Sequence, residues 1–77
     1  MIRLLFFADI QEKMGKSQLA YDCDSVTIRE LKEQLKTAYG LFEIDHVMTA
    51  VNEEYAMEED MVKAGDTVAF IPPVSGG

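Results

Sequence analysis

The chain has few residues of the types that form catalytic or metal-binding sites. Its 77 residues include one cysteine, one histidine and no tryptophan. A single cysteine, Cys23, cannot form an intramolecular disulfide, and one histidine, His46, is too few for a zinc site or a Cys–His nucleophile pair. Because Asp22 and Asp24 flank Cys23 and disfavour its thiolate, we expect Cys23 to be structural or incidental rather than reactive. His46 is expected on a surface connector.

Positive charge and long apolar runs are also scarce. Seven Lys and Arg stand against 14 Asp and Glu, giving a net charge of −7 and a pI near 4.4. This balance repels a phosphate backbone and excludes nucleic acid as a partner. The longest apolar run, residues 4–8, is far shorter than the ~20 residues that span a bilayer, and the N-terminus does not resemble a secretory signal. We therefore expect a cytoplasmic protein without a membrane segment.

The five glycines are dispersed, which excludes a phosphate-binding loop. Five acidic residues lie between positions 53 and 60 without the alternating spacing of a calcium-binding loop. A solvated hairpin is the favoured interpretation of this segment, and a surface for a basic partner is the second. The sequence thus predicts no bound nucleotide and no metal.

One amphipathic helix is predicted over residues 28–39. Thr27 and Glu30 have the spacing of a capping box, Val26 and Leu31 that of a hydrophobic staple, and Gly40 supplies the C-terminal stop. The 3.6-residue period places five side chains on the buried side, namely Ile28, Leu31, Leu35, Ala38 and Tyr39.

Four segments have the composition of strands: residues 1–8, 18–21, 47–51 and 67–71. Residues 9–16 have loop character and residues 63–66 form a turn. The order strand, strand, helix, strand, strand predicts a single α+β domain of the ubiquitin-like β-grasp type, spanning residues 1–77. In this fold a mixed sheet carries one main helix on one face.

The first and last strands are apolar on both faces, although a single helix covers only one face of the sheet. Leu5, Phe7, Ala69 and Ile71 are predicted to point to the uncovered face. An exposed hydrophobic patch in a small domain often marks a partner site. A loop folded over these side chains is the alternative that the pattern leaves open.

The C-terminal segment combines rigid residues with residues that lack side chains. Pro72 and Pro73 cannot donate ladder hydrogen bonds, so residues 74–77 should project as an extended tail. Gly76 and Gly77 can thread a narrow channel, where the terminal carboxylate becomes the reactive group. A carboxylate is a poor electrophile and needs activation by another enzyme, for example as an acyl adenylate. An inert, frayed tail is the alternative.

Three segments of the sequence resemble the MoaD family, the ubiquitin-like sulfur carriers that form the small subunit of molybdopterin synthase. They are residues 2–8 with Glu12 and Gly15, residues 50–52 and, most specifically, residues 65–77. The resemblance implies that an E1-like adenylyltransferase uses ATP to adenylate Gly77 and that sulfide from a persulfide source converts it to a thiocarboxylate. The sulfur then attacks cyclic pyranopterin monophosphate in the large subunit, and two transfers build the dithiolene of molybdopterin, the precursor of the molybdenum cofactor. The chain would thus be the sulfur-donating subunit of a sulfurtransferase, with its catalytic residues on the partner.

By position, the resemblance makes Gly77 the sulfur-bearing residue and implies a heterotetramer with the large subunit. It assigns Gly76, Ser75 and Val74 to the channel, and Phe7, Leu5, Ile71, Pro72 and Pro73 to the interface. No cofactor would be bound by this chain. The sequence departs from the family's pattern at Gln11, where many relatives have Arg, and at Ile71, where many have Phe. These departures would remove a charged anchor and some contact area.

Three other functions remain open at this point. Thiamin-type sulfur carriers share the fold and the Gly-Gly terminus, as do ubiquitin-like modifiers that are conjugated to lysines; residues 72–75 favour the molybdopterin branch. A protein of another class, an acidic interaction domain with an inert tail, would dock through its acidic hairpin or its apolar patch. Blocking the terminal carboxylate would abolish sulfur transfer and leave simple docking intact.

Overall fold

The computed structural model describes residues 1–72, so the predicted tail positions Pro73, Val74, Ser75, Gly76 and Gly77 lie outside the described residues. Within residues 1–72, two α-helices, a short 3₁₀ helix (η1) and seven strands follow one another. Their order is β1 (Ile2–Phe6), α1 (Ala8–Met14), β2 (Gln18–Tyr21), β3 (Ser25–Thr27), α2 (Ile28–Tyr39), η1 (Phe42–His46), β4 (Met48–Val51), β5 (Glu54–Tyr55), β6 (Met61–Lys63) and β7 (Thr67–Ile71).

Five of the strands form one mixed sheet in the order β2-β1-β7-β4-β5. The central pair, β1 and β7, is parallel, with Leu4 opposite Val68, and the other pairs are antiparallel. β3 and β6 form a separate two-stranded ribbon. The predicted α+β arrangement, with a mixed sheet and one main helix, is confirmed.

The helix α2 begins and ends where the sequence indicates. The Glu30 amide donates to Thr27 Oγ1 at 3.1 Å, and the Thr27 amide donates to Glu30 Oε1 at 3.1 Å, which completes the predicted capping box. The hydrogen bonds that the Thr27 amide and then the Thr27 hydroxyl donate to the Glu30 carboxylate hold the pKa of Glu30 below its ordinary value. Gly40 closes the helix in the left-handed conformation, with a φ of 68°.

The core lies between α2 and the inner face of the sheet. Phe6 of β1 stacks on Phe70 of β7, with ring centroids 6.0 Å apart. The core residues of the strands pack against apolar residues of the first two turns of α2, and against Leu41 and Ile44, which follow the helix. Thirteen buried hydrophobic side chains form this core among the described residues, and seven partly buried ones pack against it.

The prediction of which side chains of α2 are buried is wrong for the last turn of the helix. Ala38 and Tyr39 are exposed, and Lys32 is buried to 8% exposure in their place. The apolar stripe of α2 is covered only over its first two turns, because the core ends there. Lys32 is accommodated because its aliphatic chain lies in the covered region while its ammonium reaches to 3.8 Å from Glu58 Oε1.

Two parts of the fold were not predicted. Residues 9–16 were expected to form a loop, yet α1 spans Ala8–Met14 and ends at Gly15, which has a φ of 74°. Only Ile10 of this seven-residue helix is buried, so its apolar period is too short to recognise. The β3–β6 ribbon and β5 were also missed, because strands of two or three residues carry no alternation pattern.

The acidic segment is a hairpin only in its first half. Glu53 and Glu54 are exposed at the turn between β4 and β5. Glu58 and Glu59 instead accept hydrogen bonds from Arg29, at 3.2 and 3.3 Å. The carbonyl of Glu58 also accepts from the Arg29 amide, so this part of the segment satisfies the free N–H groups at the start of α2.

His46 lies on the surface, as predicted, and Cys23 lies at the edge of the core. Cys23 is partly buried, packs against the core and donates through Sγ to the carbonyl of Ser25 at 3.4 Å. His46 is exposed at the end of η1. No helix within residues 1–72 is long and apolar enough to cross a membrane.

Candidate functional site

The uncovered face of the five-stranded sheet bears an apolar trough with a volume of about 570 Å³. Its centre is one row of residues that lie side by side across four strands, namely Leu5, Ala69, Ala50 and Tyr55. Their sequence neighbours Leu4 and Val68 point into the core, so the alternation of a strand directs this row to the opposite face.

The trough results from the order of side-chain sizes along this row. Ala50 and Ala69 occupy the two middle strands and form a low floor, whereas Leu5 and Tyr55 stand on either side as walls. With strands spaced about 4.8 Å apart, the walls are about 14 Å from one another. Tyr55 is 70% exposed, and Leu5 and Ala69 are half-buried. No segment of residues 1–72 covers this face, so the loop alternative is wrong for this part of the chain.

One end of the trough lies where β7 ends. Ile71, the last residue of β7, lines the trough and is half-buried opposite Met48 of β4. Met48 is 45% exposed, which extends the apolar surface beyond the trough itself. The chain continues from Ile71 toward Gly77, so the trough adjoins the segment that the sequence analysis identifies as functional.

The other end of the trough is polar and held by a hydrogen-bond network. Asn52 donates through Nδ2 to Asp66 Oδ1 at 3.0 Å and accepts from the Thr67 amide at 3.0 Å. Asp66 also accepts from the Lys63 amide at 2.9 Å. These hydrogen bonds, first that from Lys63 and then that from Asn52, lower the pKa of Asp66. The network fixes the β4–β5 turn against the start of β7.

Phe7 occupies a different place from the predicted one. β1 ends at Phe6, and Phe7 is the extended N-cap residue of α1, 42% exposed. It lines a separate depression of about 250 Å³, the Phe7 pocket, with Ile10, Val47 and Pro72. Phe7 and Leu5 therefore do not share one surface. Ile71 lines the trough and Pro72 lines the Phe7 pocket, so each depression includes one residue at the end of β7.

The predicted interface residues of the described region thus fall into two neighbouring sites, Leu5 and Ile71 in the trough and Phe7 and Pro72 in the Phe7 pocket. Gln11 is exposed on α1. Ala50 and Tyr55 also line the trough but were not predicted from the sequence. The spacing of small residues at alternate strand positions could have indicated Ala50, but Tyr55 lies in an acidic segment that gives no strand signal.

The sequence matches known proteins along its whole length. The model of the ThiS family matches residues 4–77. The molybdopterin synthase sulfur carrier subunit of Haemophilus influenzae is 35% identical over 82 residues, with 100% of both chains covered. The chain belongs to this family of sulfur carriers. The resemblance drawn from its three segments is therefore confirmed.

Solved structures show the same fold. Small archaeal modifier protein 1 of Haloferax volcanii has a TM-score of 0.80 and 27% identity, and the match covers 95% of this chain and 97% of that one. A chain in the complex of subunits 1 and 2 of the Helicobacter pylori molybdopterin-converting factor has a TM-score of 0.71. At 24% identity, with 99% and 97% of the chains covered, this second likeness shows the fold alone. The ubiquitin-like β-grasp prediction is confirmed.

Proposed function

We propose that this chain is the sulfur carrier subunit of a molybdopterin synthase. The observation that supports this most directly is the uncovered apolar trough, which adjoins the end of β7 at Ile71. A carrier that presents its terminus to another enzyme needs a docking surface beside that terminus. The membership of the sulfur carrier family supports the same function.

In this proposal the chemistry takes place at the carboxylate of Gly77. An E1-like adenylyltransferase joins the carboxylate to AMP and releases pyrophosphate from ATP. A thiol reductant releases the outer sulfur of the persulfide as sulfide, which displaces AMP. AMP leaves with one carboxylate oxygen, and a thiocarboxylate remains. In the large subunit the sulfur bonds to cyclic pyranopterin monophosphate, water cleaves the resulting thioester and returns Gly77 to a carboxylate, and a second transfer completes the dithiolene.

This chain acts as substrate and carrier, and the large subunit supplies the catalytic residues. Gly76, Ser75 and Val74 pass through a channel of the large subunit, while Leu5, Phe7, Ile71, Pro72 and Pro73 contact its surface. The complete synthase is a heterotetramer in the cytoplasm. ATP is consumed by the activating enzyme, and the carrier itself binds no cofactor.

The test is intact-protein mass spectrometry after incubation with the activating enzyme, ATP and a sulfide source. We expect one oxygen to be replaced by sulfur at Gly77, and the product to support molybdopterin formation with the large subunit. Two variants serve as controls, one with Gly77 deleted and one with a residue added after it. Sulfur transfer by either variant contradicts the mechanism. An unchanged mass, with an activating enzyme competent on another carrier, contradicts the function.

A second candidate, a ubiquitin-like modifier, is favoured by the likeness to small archaeal modifier protein 1. A modifier would form an isopeptide bond between Gly77 and a lysine of another protein. Tryptic peptides of other proteins that carry a C-terminal remnant of this chain on a lysine would show that it acts as a modifier. A thiamin-type carrier would instead gain sulfur at Gly77 but fail to produce molybdopterin, and an acidic interaction domain would dock without any mass change.

A further inference from the structure

The turn between β4 and β5 contains an acidic residue in a conformation that favours glycine. Val51 pairs with Glu54, so only Asn52 and Glu53 form the turn, and their φ angles are 51° and 72°. Asparagine tolerates this region, and glycine is the usual second residue of such a turn. Glu53 therefore holds a backbone conformation that glycine would adopt with less strain.

Glu53 lines the trough and is exposed. Its carboxylate forms no ion pair among residues 1–72, whereas Glu43, Glu58 and Asp45 pair with lysine or arginine side chains of this chain. The neighbouring Glu54 lines a different depression, on the side of Met61. Glu53 thus places an unpaired negative charge at the rim of an apolar docking surface.

The charge of the chain indicates what covers the trough. A second copy would bring a net charge of −7 and another Glu53 to the same surface, which is unfavourable. A partner with an apolar segment and a basic side chain at the rim complements both the trough and Glu53. The trough also adjoins Ile71, so a protein that receives the tail is placed to cover it.

We propose that the trough docks an apolar segment of the large synthase subunit and that a Lys or Arg of that segment pairs with Glu53. This inference rests on the proposed function and identifies the Glu53 carboxylate as the charge by which the large subunit is selected. A glycine at position 53 would relieve the strained turn but remove the paired carboxylate. Stability and partner affinity should therefore respond to Glu53→Gly in opposite directions.

The experiment measures calorimetric affinity of the full-length chain for the purified large subunit, at low and high salt, together with thermal unfolding. We expect Glu53→Gly to raise Tm and weaken association by about tenfold at low salt, with a smaller effect at high salt. Glu53→Gln should weaken association without raising Tm as much, and Glu53→Lys should weaken it most. Glu54→Gln is the matched control, because it removes the same charge one residue away and should bind like the wild type.

Several outcomes would overturn the inference while leaving the proposed function intact. Wild-type affinity in Glu53→Gly and Glu53→Gln means that Glu53 has no partner. An equal loss in Glu54→Gln means that only the overall charge matters. If sedimentation shows that the wild type self-associates and that Glu53→Gly changes this association, the trough binds a second copy. If Glu53→Gly slows adenylation but leaves the affinity for the large subunit unchanged, the trough binds the activating enzyme. If the wild type does not bind the large subunit, the proposed function itself fails.

Discussion

Ala69 of β7 lies directly opposite Ala50 of β4, and this pair of small side chains forms the floor of the trough. We expect Ala69→Leu to fill the trough and weaken binding to the large subunit by about tenfold or more, because the lost contacts lie at the centre of the interface. The fold should tolerate the change, since Ala69 is half-buried and faces away from the core. Calorimetry and thermal unfolding measure the two effects.

The matched control for this variant is Ala20→Leu. Ala20 is exposed on β2 and lies on the same side of the sheet, but it lines a different depression, beside Arg3 and Gln18. The Ala20→Leu variant should bind the large subunit with the same affinity as the wild type. Equal affinity of the Ala69→Leu variant and the wild type would show that the partner does not enter the trough.

Phe7→Asp should weaken association with the large subunit, because a carboxylate is costly to bury in an apolar interface. Phe7 is 42% exposed, so the free domain should remain folded. Phe42→Asp is the control: Phe42 is 69% exposed on η1 and lines neither the trough nor the Phe7 pocket. Titration calorimetry that gives the same affinity for Phe7→Asp and Phe42→Asp would exclude Phe7 from the interface.

Thr49→Val should stabilise the domain. Thr49 is 5% exposed on the core side of β4, opposite Phe70, and its Oγ1 has no hydrogen-bond partner among the described residues. Valine keeps the shape and removes the unsatisfied hydroxyl, so we expect the free energy of unfolding in urea to rise by about 1 kcal/mol. Thr49→Ser keeps the hydroxyl, loses a methyl group and should be less stable than the wild type. A valine variant no more stable than the wild type would mean that the hydroxyl is satisfied.

Asp66 should make stability depend on acidic pH. Its pKa is lowered in the fold by hydrogen bonds from Lys63 and Asn52, so its contribution is present above the pKa of the unfolded chain and is lost as pH falls through the folded pKa. We expect Asp66→Asn to be less stable than the wild type near neutral pH. The gap should close as the pH falls below the pKa of an unfolded aspartate and through the lowered pKa of the folded state, because the wild-type carboxylate is protonated there. Urea unfolding of both proteins between neutral and acidic pH tests this prediction. A stability difference that stays constant with pH would contradict the role of the Asp66 charge.

Local signals in the sequence were sufficient for the elements that depend on neighbouring residues. Thr27, Glu30 and Gly40 determine where α2 begins and ends, because caps act within one turn. The alternation in residues 67–71 predicts β7 with its observed bounds. The predicted order of four strands with one main helix was sufficient to indicate the fold class. Residues 65–77 were sufficient to indicate the family, which the family match confirms.

Only the tertiary structure decided which surfaces these elements create. The trough depends on the register that aligns Leu5, Ala69, Ala50 and Tyr55 across four strands, and pairings between distant segments are not encoded in any local pattern. The separation of Phe7 from Leu5 likewise follows from β1 ending at Phe6, two residues before the predicted end of the strand, because Phe7 caps α1. The chemistry proposed for Gly77 rests on the sequence alone, whereas the shape of the trough required strands brought together from both ends of the chain.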